Sequence, residues 1–225
     1  MKPSAALLAC PPPTWAPLLL ASQADLLEAD RMLAQSEVLY GKTTPSEDHV
    51  FLPLYLCPLD QVRVVWVTAE PLPGLSYRDP SKPLSQGMGP GTERSDRPAP
   101  GLRALLADEG RTATHGDLRA WAYQGVLFLS LALTAPLQRG GRVPSHAAFW
   151  SGFVKRLCEH VQQHRPDAVF VAFGKGGVAV RQYLSGRAVV VEAPDLWDRA
   201  YPGTKVFAKI NAALPKGSPP LSFAF

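Results

Sequence analysis

A single carboxylate, Glu70, stands where an apolar segment meets prolines, in the stretch Arg63 to Pro73 (RVVWVTAEPLP). The β-branched residues before it are typical of a buried strand that ends near Thr68. A carboxylate fixed at the end of a strand can accept a proton from water or stabilise a developing positive charge. The alternative is a solvated acid in a loop, and position alone leaves both open.

A glycine-rich turn, Gly174 to Gly177 (GKGG), follows a second apolar segment and precedes a helical one. The backbone N–H groups of Gly174 and Gly176, with the ammonium of Lys175, could bind a phosphate at the start of that helix. The spacing is not that of a Walker loop. A plain tight turn is the alternative.

Two further polar segments follow apolar runs. In Ala193 to Gly203 (APDLWDRAYPG), Trp197 and Arg199 could stack on or wedge between nucleic-acid bases, whereas the alternative is that Trp197 packs on the core. Ser130 comes directly after GVLFL. No G-x-S-x-G elbow surrounds it, so it is not a nucleophile signal.

The elements that carry these residues are short apolar strands alternating with helices, with strands predicted over 63–68, 125–129, 167–173 and 188–191. The pattern predicts an α/β fold: a three-layer sandwich with a central, mostly parallel four-stranded sheet and helices on both faces. Ligand sites in such sheets lie beyond the carboxyl ends of the strands. Glu70, Ser130, Gly174 and Asp195 are therefore expected along one rim.

Helices are predicted over 15–40, 46–54, 102–109, 116–123, 177–184 and 205–214, and from Ser145 onward. Ser145 is predicted to be the N-cap of an amphipathic helix. Residues 69 to 101 form a long, proline-rich loop, and loops of this length in compact domains usually have a functional reason.

The chain has 225 residues, of which 46% are hydrophobic, and this fits one folded domain, predicted over residues 15–225. Residues 1–14 are predicted to be a disordered tail, because their apolar run is short and meets three prolines. The net charge of +4 fits a polyanionic partner without requiring one. No apolar run is long enough to span a membrane, so an intracellular, non-secreted protein is expected.

His160 and His164 have the spacing of a metal-binding pair, but no carboxylate stands where a metalloprotease motif needs one. Cys10, Cys57 and Cys158 are far apart and are read as free thiols. No metal site and no cofactor are expected.

The strand-and-loop segments, taken together over about residues 45 to 225, resemble family-I uracil-DNA glycosylases. The stretch Trp121 to Thr134 (WAYQGVLFLSLALT) is similar to that family's W-A-x-Q-G-V-L-L-L-N-x-x-L-T, and SHAAFWSGFVKRL, AFGKGG and VFAKINAAL are similar to later family segments. The diverged loops resemble members from poxviruses and herpesviruses. The resemblance implies the uracil-DNA glycosylase fold and binding of single- or double-stranded DNA. It also places Pro100 in the family's proline-rich DNA-compressing loop.

The same resemblance implies changes at the catalytic positions. Glu70 stands where the family has the water-activating aspartate of G-Q-D-P-Y-H, and Leu72 and Pro73 replace that motif's tyrosine and histidine. Ser130 replaces the uracil-reading asparagine and lacks its paired amide donor and acceptor. Asp195 replaces the histidine that stabilises the departing uracil anion; in a register shifted by two residues Ala193 takes that place, and neither side chain supplies the donor.

Loss of one donor to a developing oxyanion typically costs ~10²–10³ in rate. The sequence therefore predicts a DNA-binding protein with lost or strongly reduced uracil excision. Its expected role is non-catalytic, in replication or repair, for example in polymerase processivity with a replication partner protein at a nuclear or cytoplasmic site. Two alternatives stay open: an active glycosylase of base excision repair in which Glu70 activates water, and a protein-interaction module without DNA binding. Whether the protein is an enzyme is thus undecided at this stage.

Overall fold

The computed structural model describes residues 1–137, 143–196, 201 and 203–225. Its strands, numbered in chain order, are β1 (Thr43–Thr44), β2 (Val64–Thr68), β3 (Val126–Ser130), β4 (Ala135–Pro136), β5 (Val169–Phe173) and β6 (Val189–Ala193).

The four longer strands form one wholly parallel sheet in the order β3-β2-β5-β6. Every residue of β2, β3 and β5 is buried, which explains their continuous apolar sequences. Strand β6 lies at an edge, and only its last residue, Ala193, is buried. The predicted α/β sandwich is confirmed. The antiparallel pair β1–β4, with two residues in each strand, has no periodicity from which sequence could predict it.

The α-helices are α1 (Pro3–Ala9), α2 (Ala16–Ala21), α3 (Gln23–Tyr40), α4 (Leu52–Leu56), α5 (Pro100–Asp108), α6 (Arg119–Ala122), α7 (Ala147–His164), α8 (Gly174–Val178) and α9 (Val206–Ala213). The single helix predicted over 15–40 is divided at Ser22, which separates α2 from α3. The helices predicted at 46–54 and 177–184 each consist of a short α-helix and a 3-10 turn.

Helix α7 begins one residue later than a Ser145 cap requires. His146 occupies the N-cap position, and no side chain there forms a capping hydrogen bond. The Ser145 hydroxyl instead accepts a longer bond, of 3.3 Å, from the backbone N–H of Ala147. The prediction of a Ser145 N-cap was therefore wrong by one position. The Ser145 hydroxyl donates its hydrogen bond to Glu70.

Two apolar layers cover the two faces of the sheet. One joins α2, α3 and α7 to the face that presents Val65 and Val67. The other joins α5, α6 and α9 to the face that presents Val64 and Trp66. Alternate residues of β2 thus enter opposite layers, as the period of a strand requires.

The amino-terminal segment differs from the prediction of a disordered tail. Residues 3–9 form α1, in which Leu7 is fully buried in the core. The buried Ser4 donates through its backbone N–H to Asp30 and through its hydroxyl to the Leu26 carbonyl oxygen. Sequence reasoning missed these bonds because both partners are more than twenty residues away.

In the described part of the chain no single helix is long and apolar enough to cross a membrane, and only the bent pair Pro3–Ala9 and Pro13–Ala21 reaches that length together.

Candidate active site

The carboxyl ends of the four parallel strands are aligned by their pairing register. Thr68 is opposite Ser130, and Phe173 is opposite Ala193. The segments that follow the strands consequently meet at one edge of the sheet. This alignment is the reason that residues over 120 positions apart can surround one cavity.

A cavity of about 400 Å³ opens at this edge, which is within the size range of small-molecule sites. Both polar and apolar side chains line it. Its lining residues are Thr68, Ala69, Glu70, Leu72, Gly89, Pro90, Leu131, Ser145, Ala147, Phe173, Gly176, Ala179, Gln182, Tyr183, Asp195 and Leu196.

Glu70 is half-buried in this cavity, and its carboxylate has a defined partner. The Ser145 hydroxyl donates to Glu70 Oε1 over 2.8 Å. This bond joins the loop after β2 to Ser145, two residues before α7. A hydrogen bond to a carboxylate is stronger than one between neutral groups and fixes the orientation of the acid.

His146, directly after Ser145, is fully buried behind the cavity. Its ring nitrogens contact two hydroxyls, Ser36 Oγ at 2.8 Å and Thr134 Oγ1 at 2.9 Å. Trp150 Nε1 donates to the same Thr134 oxygen. Burial lowers the pKa of His146 to about 4, although the negative charges of Glu70 and Glu37 act in the opposite direction. His146 is therefore neutral at neutral pH, and its network holds the start of α7, with Ser145, in place.

Ser130 does not present its hydroxyl to the main cavity. It is only 4% exposed, and its Oγ lies 3.0 Å from Thr68 Oγ1 on the neighbouring strand. Ser130 lines a separate cavity of about 20 Å³, roughly the size that one water molecule needs. The position expected to read a base thus forms a hydrogen bond between two strands.

Three glycines bring the rim segments into contact. A Cβ on Gly174, whose φ is 64°, would lie 2.6 Å from Asp195 Oδ2. A methyl group on Gly176 would overlap the Cβ of Ala69, and one on Gly101 would overlap the Leu196 carbonyl oxygen. The turn Gly174 to Gly177 therefore packs against Asp195 and against Ala69, the residue before Glu70.

Of the remaining residues predicted from the sequence to form the site, only some line the cavity. Leu72 lines the cavity and is buried, whereas Pro73 is not among the lining residues. Lys175 and Pro100 are exposed and also do not line it. Trp197 and Arg199 lie outside the described residues.

Sequence reasoning missed several cavity residues, among them Gln182 and Tyr183 from the 3-10 turn after α8. Both carry neutral hydrogen-bond donors. Nothing in their sequence context distinguishes them from surface residues. Among the described residues no group of three or more His, Cys, Asp or Glu side chains is arranged to hold a metal ion.

The chain is similar to curated uracil-DNA glycosylases. The chain is 30% identical over 193 residues to the uracil-DNA glycosylase of Streptococcus thermophilus, which covers 81% of this chain and 84% of that protein. It is 30% identical over 203 residues to the uracil-DNA glycosylase of Chlamydia abortus, which covers 85% and 84%. No family model matches the chain.

Solved structures show the same fold. The crystal structure of mimivirus uracil-DNA glycosylase has a TM-score of 0.83 at 17% identity, with 95% of this chain and 87% of that chain covered. A mimivirus variant solved in complex with the protein UGI has a TM-score of 0.82, also at 17% identity, and covers 95% of this chain and 88% of that chain.

Proposed function

The chain belongs to the uracil-DNA glycosylase family, and from this premise we propose that it removes uracil from DNA by hydrolysis, with Glu70 activating the attacking water. The observation that carries the proposal is the Glu70 carboxylate, oriented by Ser145 in a cavity at the carboxyl edge of the sheet. The protein would then act in base excision repair.

A cavity at a sheet edge suits a base that has been taken out of the stack. Enzymes that act on a base in duplex DNA must flip the nucleotide into a pocket or use single-stranded substrate. The cavity walls include apolar groups such as Leu72, Leu131 and Phe173, which can contact the faces of a flat ring. Both single- and double-stranded DNA are therefore proposed as substrates.

Hydrolysis breaks the bond between C1′ of the deoxyribose and N1 of uracil, and the electron pair leaves with the base. Glycosidic cleavage passes through a transition state with positive charge on the sugar. The Glu70 carboxylate stabilises that charge and accepts a proton as water adds to C1′. The products are an abasic sugar and, after proton transfer to its ring, free uracil.

Asp195 makes the departure of uracil slower than in a site with a donor at that position. A carboxylate on the cavity wall repels the anion that forms on the base. The neutral donors Gln182 and Tyr183 line the same cavity and offer N–H and O–H groups without that repulsion. Excision with a rate about 10²–10³ below that of a donor-bearing site is expected.

The hypothesis that the protein has lost uracil excision is less well supported than the hypothesis of an active glycosylase. The curated relatives carry the name of the activity, and the carboxylate keeps its place in the cavity. One observation still favours DNA binding without excision as a second candidate. Ser130 is engaged with Thr68 and cannot replace the amide that reads uracil. A replication partner would belong to this second candidate.

The test is release of free uracil from single- and double-stranded oligonucleotides that contain one uracil, with thymine-containing oligonucleotides as the matched substrate control. The proposal predicts uracil release that continues over many turnovers and exceeds any release from the thymine-containing control. Salt-dependent binding of the same oligonucleotides with no release over hours would contradict it and select the second candidate.

A further inference from the structure

A second cavity, of about 560 Å³, is formed mainly by the loop between Glu70 and α5, with Thr114 from the segment after α5, and is rich in arginine. Three guanidinium groups share it with one aromatic ring, one carboxylate and the hydroxyls of Ser95 and Thr114. Its principal lining residues are Tyr77, Arg78, Arg94, Asp96, Arg97 and Thr114.

The loop is organised around a buried carboxylate. Asp96 is 2% exposed, and its Oδ1 accepts hydrogen bonds from the backbone N–H groups of Tyr77 and Arg78 at 3.0 and 3.2 Å. Arg78 Nε in turn donates to the Ser95 carbonyl oxygen over 3.0 Å. These bonds tie together two limbs of the loop that are 17 to 19 residues apart in sequence. The arginines are therefore presented by a folded structure.

The positive charge of this cavity is not balanced by ion pairs. Within the ranges that the structure describes, Arg78, Arg94 and Arg97 form no salt bridge, and all three are exposed. Asp96 uses Oδ1 for backbone groups rather than for a guanidinium. Clustered arginines without acidic partners attract phosphate, which they can bind in a bidentate manner.

Two features indicate more than a simple anion. Asp96 lines the cavity, and its buried Oδ2 has no hydrogen-bond partner among the described residues, so a donor from a ligand would complete its bonding. Tyr77, on the same cavity, is 62% exposed and offers a flat aromatic face. A ligand that fits has a phosphate, a flat ring and an N–H donor. A nucleotide has all three, since the amino groups of bases donate to carboxylates.

The position of the loop connects this cavity to the active cavity. The loop leaves the active cavity at Leu72 and borders it again at Gly89 and Pro90. Directly after the loop, Gly101 of α5 contacts the carbonyl of Leu196, another residue of the active cavity. A strand whose target nucleotide occupies the active cavity could extend along this loop.

We propose that the cavity of Arg78, Arg94 and Arg97 binds a second nucleotide of the DNA strand, with its phosphate on the arginines and its base on Tyr77. This inference rests on the proposed function for the identity of the strand. It extends that function by a contact outside the nucleotide that reacts.

The experiment measures the binding of uracil-free single-stranded oligonucleotides to the full chain by fluorescence anisotropy over a series of salt concentrations. The test protein is the double variant Arg94→Ala/Arg97→Ala. Its control is Lys155→Ala/Arg187→Ala, which removes the same charge from exposed positions on α7 and before β6. Loss of one phosphate contact should reduce the slope of log K against log salt by about 0.7. The control should keep the wild-type slope.

Stacking is tested separately with Tyr77→Ala, which should weaken binding about tenfold, whereas Tyr77→Phe should not. Tyr123→Ala is the matched control, because Tyr123 is also 62% exposed but precedes β3 at the opposite end of the sheet. Thermal unfolding of each variant checks that it is folded. If an alanine variant does not fold, Arg94→Gln/Arg97→Gln removes the same charges with less loss of side chain.

Equal affinity and equal salt slope for the arginine variants and their control would overturn the inference. The inference would also be overturned if replacing the arginines weakened the binding of heparin but left the binding of DNA unchanged. Failure of the proposed function is a different result: DNA binding that depends on these arginines, without uracil release, leaves the second contact standing. Uracil release with arginine-independent DNA binding rejects only the second contact.

Discussion

The Ser145 hydroxyl and the Glu70 carboxylate are joined by a 2.8 Å hydrogen bond, although 75 residues separate them in sequence. The bond connects the start of α7 to the loop after β2. Behind it, the neutral His146 is held by Ser36 and Thr134. The orientation of the candidate catalytic acid is thus set by the helix that packs on the sheet, as well as by its own strand.

Replacement Ser145→Ala should lower kcat for uracil excision by about 10- to 10²-fold with little change in KM, because a hydrogen bond to a charged group contributes roughly 1.5–3 kcal/mol and about 1.4 kcal/mol is a factor of ten in rate. Ser145→Thr keeps the hydroxyl and should restore most of the rate. Steady-state kinetics of both variants give the comparison. Ser151→Ala, which removes a hydroxyl that donates to the Ala148 carbonyl oxygen within the same helix, is the control. A rise in KM with an unchanged kcat would show that Ser145 does not orient the acid.

Replacement Gly176→Ala should reduce excision, since its methyl group would overlap the Cβ of Ala69 and displace the residue next to Glu70. Gly186→Ala is the control, because nothing lies within 4 Å of a Cβ at that position. Excision rates and thermal unfolding temperatures of both variants should be measured together. Full activity of Gly176→Ala would mean that the rim can shift without cost to the reaction.

Replacement Asp195→His should accelerate excision, by up to about 10²-fold, because a donor would replace a repelling carboxylate beside the leaving base. Asp167→His, at an exposed position before β5, changes the same residue type at the opposite end of the sheet and should have no effect. The single-turnover rates of both variants should be compared with that of the wild type. An unchanged or slower rate for Asp195→His would show that this side chain does not face the departing base.

The buried His146 should make the protein less stable in mild acid. Its folded pKa is lowered to about 4, below the ordinary value of 6.5. The unfolded chain therefore takes up a proton first as pH falls from about 6.5 toward 4, and folding loses up to about 3 kcal/mol over that interval. Above pH 6.5 the group has no such effect.

Urea unfolding at pH 7 and at pH 4.5 measures this loss, with His146→Gln as the comparison because it does not titrate. The wild type should lose more free energy of unfolding than the variant. Parallel losses in the two proteins would show that other groups cause the acid sensitivity.

The fold was largely predictable because its strands are fully buried and therefore continuous in apolar sequence. The parallel topology then implied the rim on which Glu70 and Asp195 lie. Two features of the helices could not be predicted. Ser22 interrupts a helix whose apolar pattern continues on both sides. Helix α1 is held by a hydrogen bond to Asp30, which is distant in sequence.

The site was only partly predictable, because its decisive contacts join distant segments. Glu70 could be selected from its place after a strand, but its bond to Ser145 has no sequence signature. Ser130 was expected in the base pocket, whereas its hydroxyl contacts Thr68 on the neighbouring strand. The arginine cavity escaped notice because its parts lie at both ends of a loop that has no periodic pattern.

The most direct test of the account is the single-turnover rate of uracil release by Glu70→Gln, measured beside the DNA dissociation constant. Glu159→Gln, an exposed position on α7, is the matched control. We expect a rate at least about 10²-fold below wild type for Glu70→Gln, with DNA affinity maintained and the control unaffected. A Glu70→Gln protein that releases uracil at the wild-type rate would contradict the assignment of Glu70 as the group that activates water.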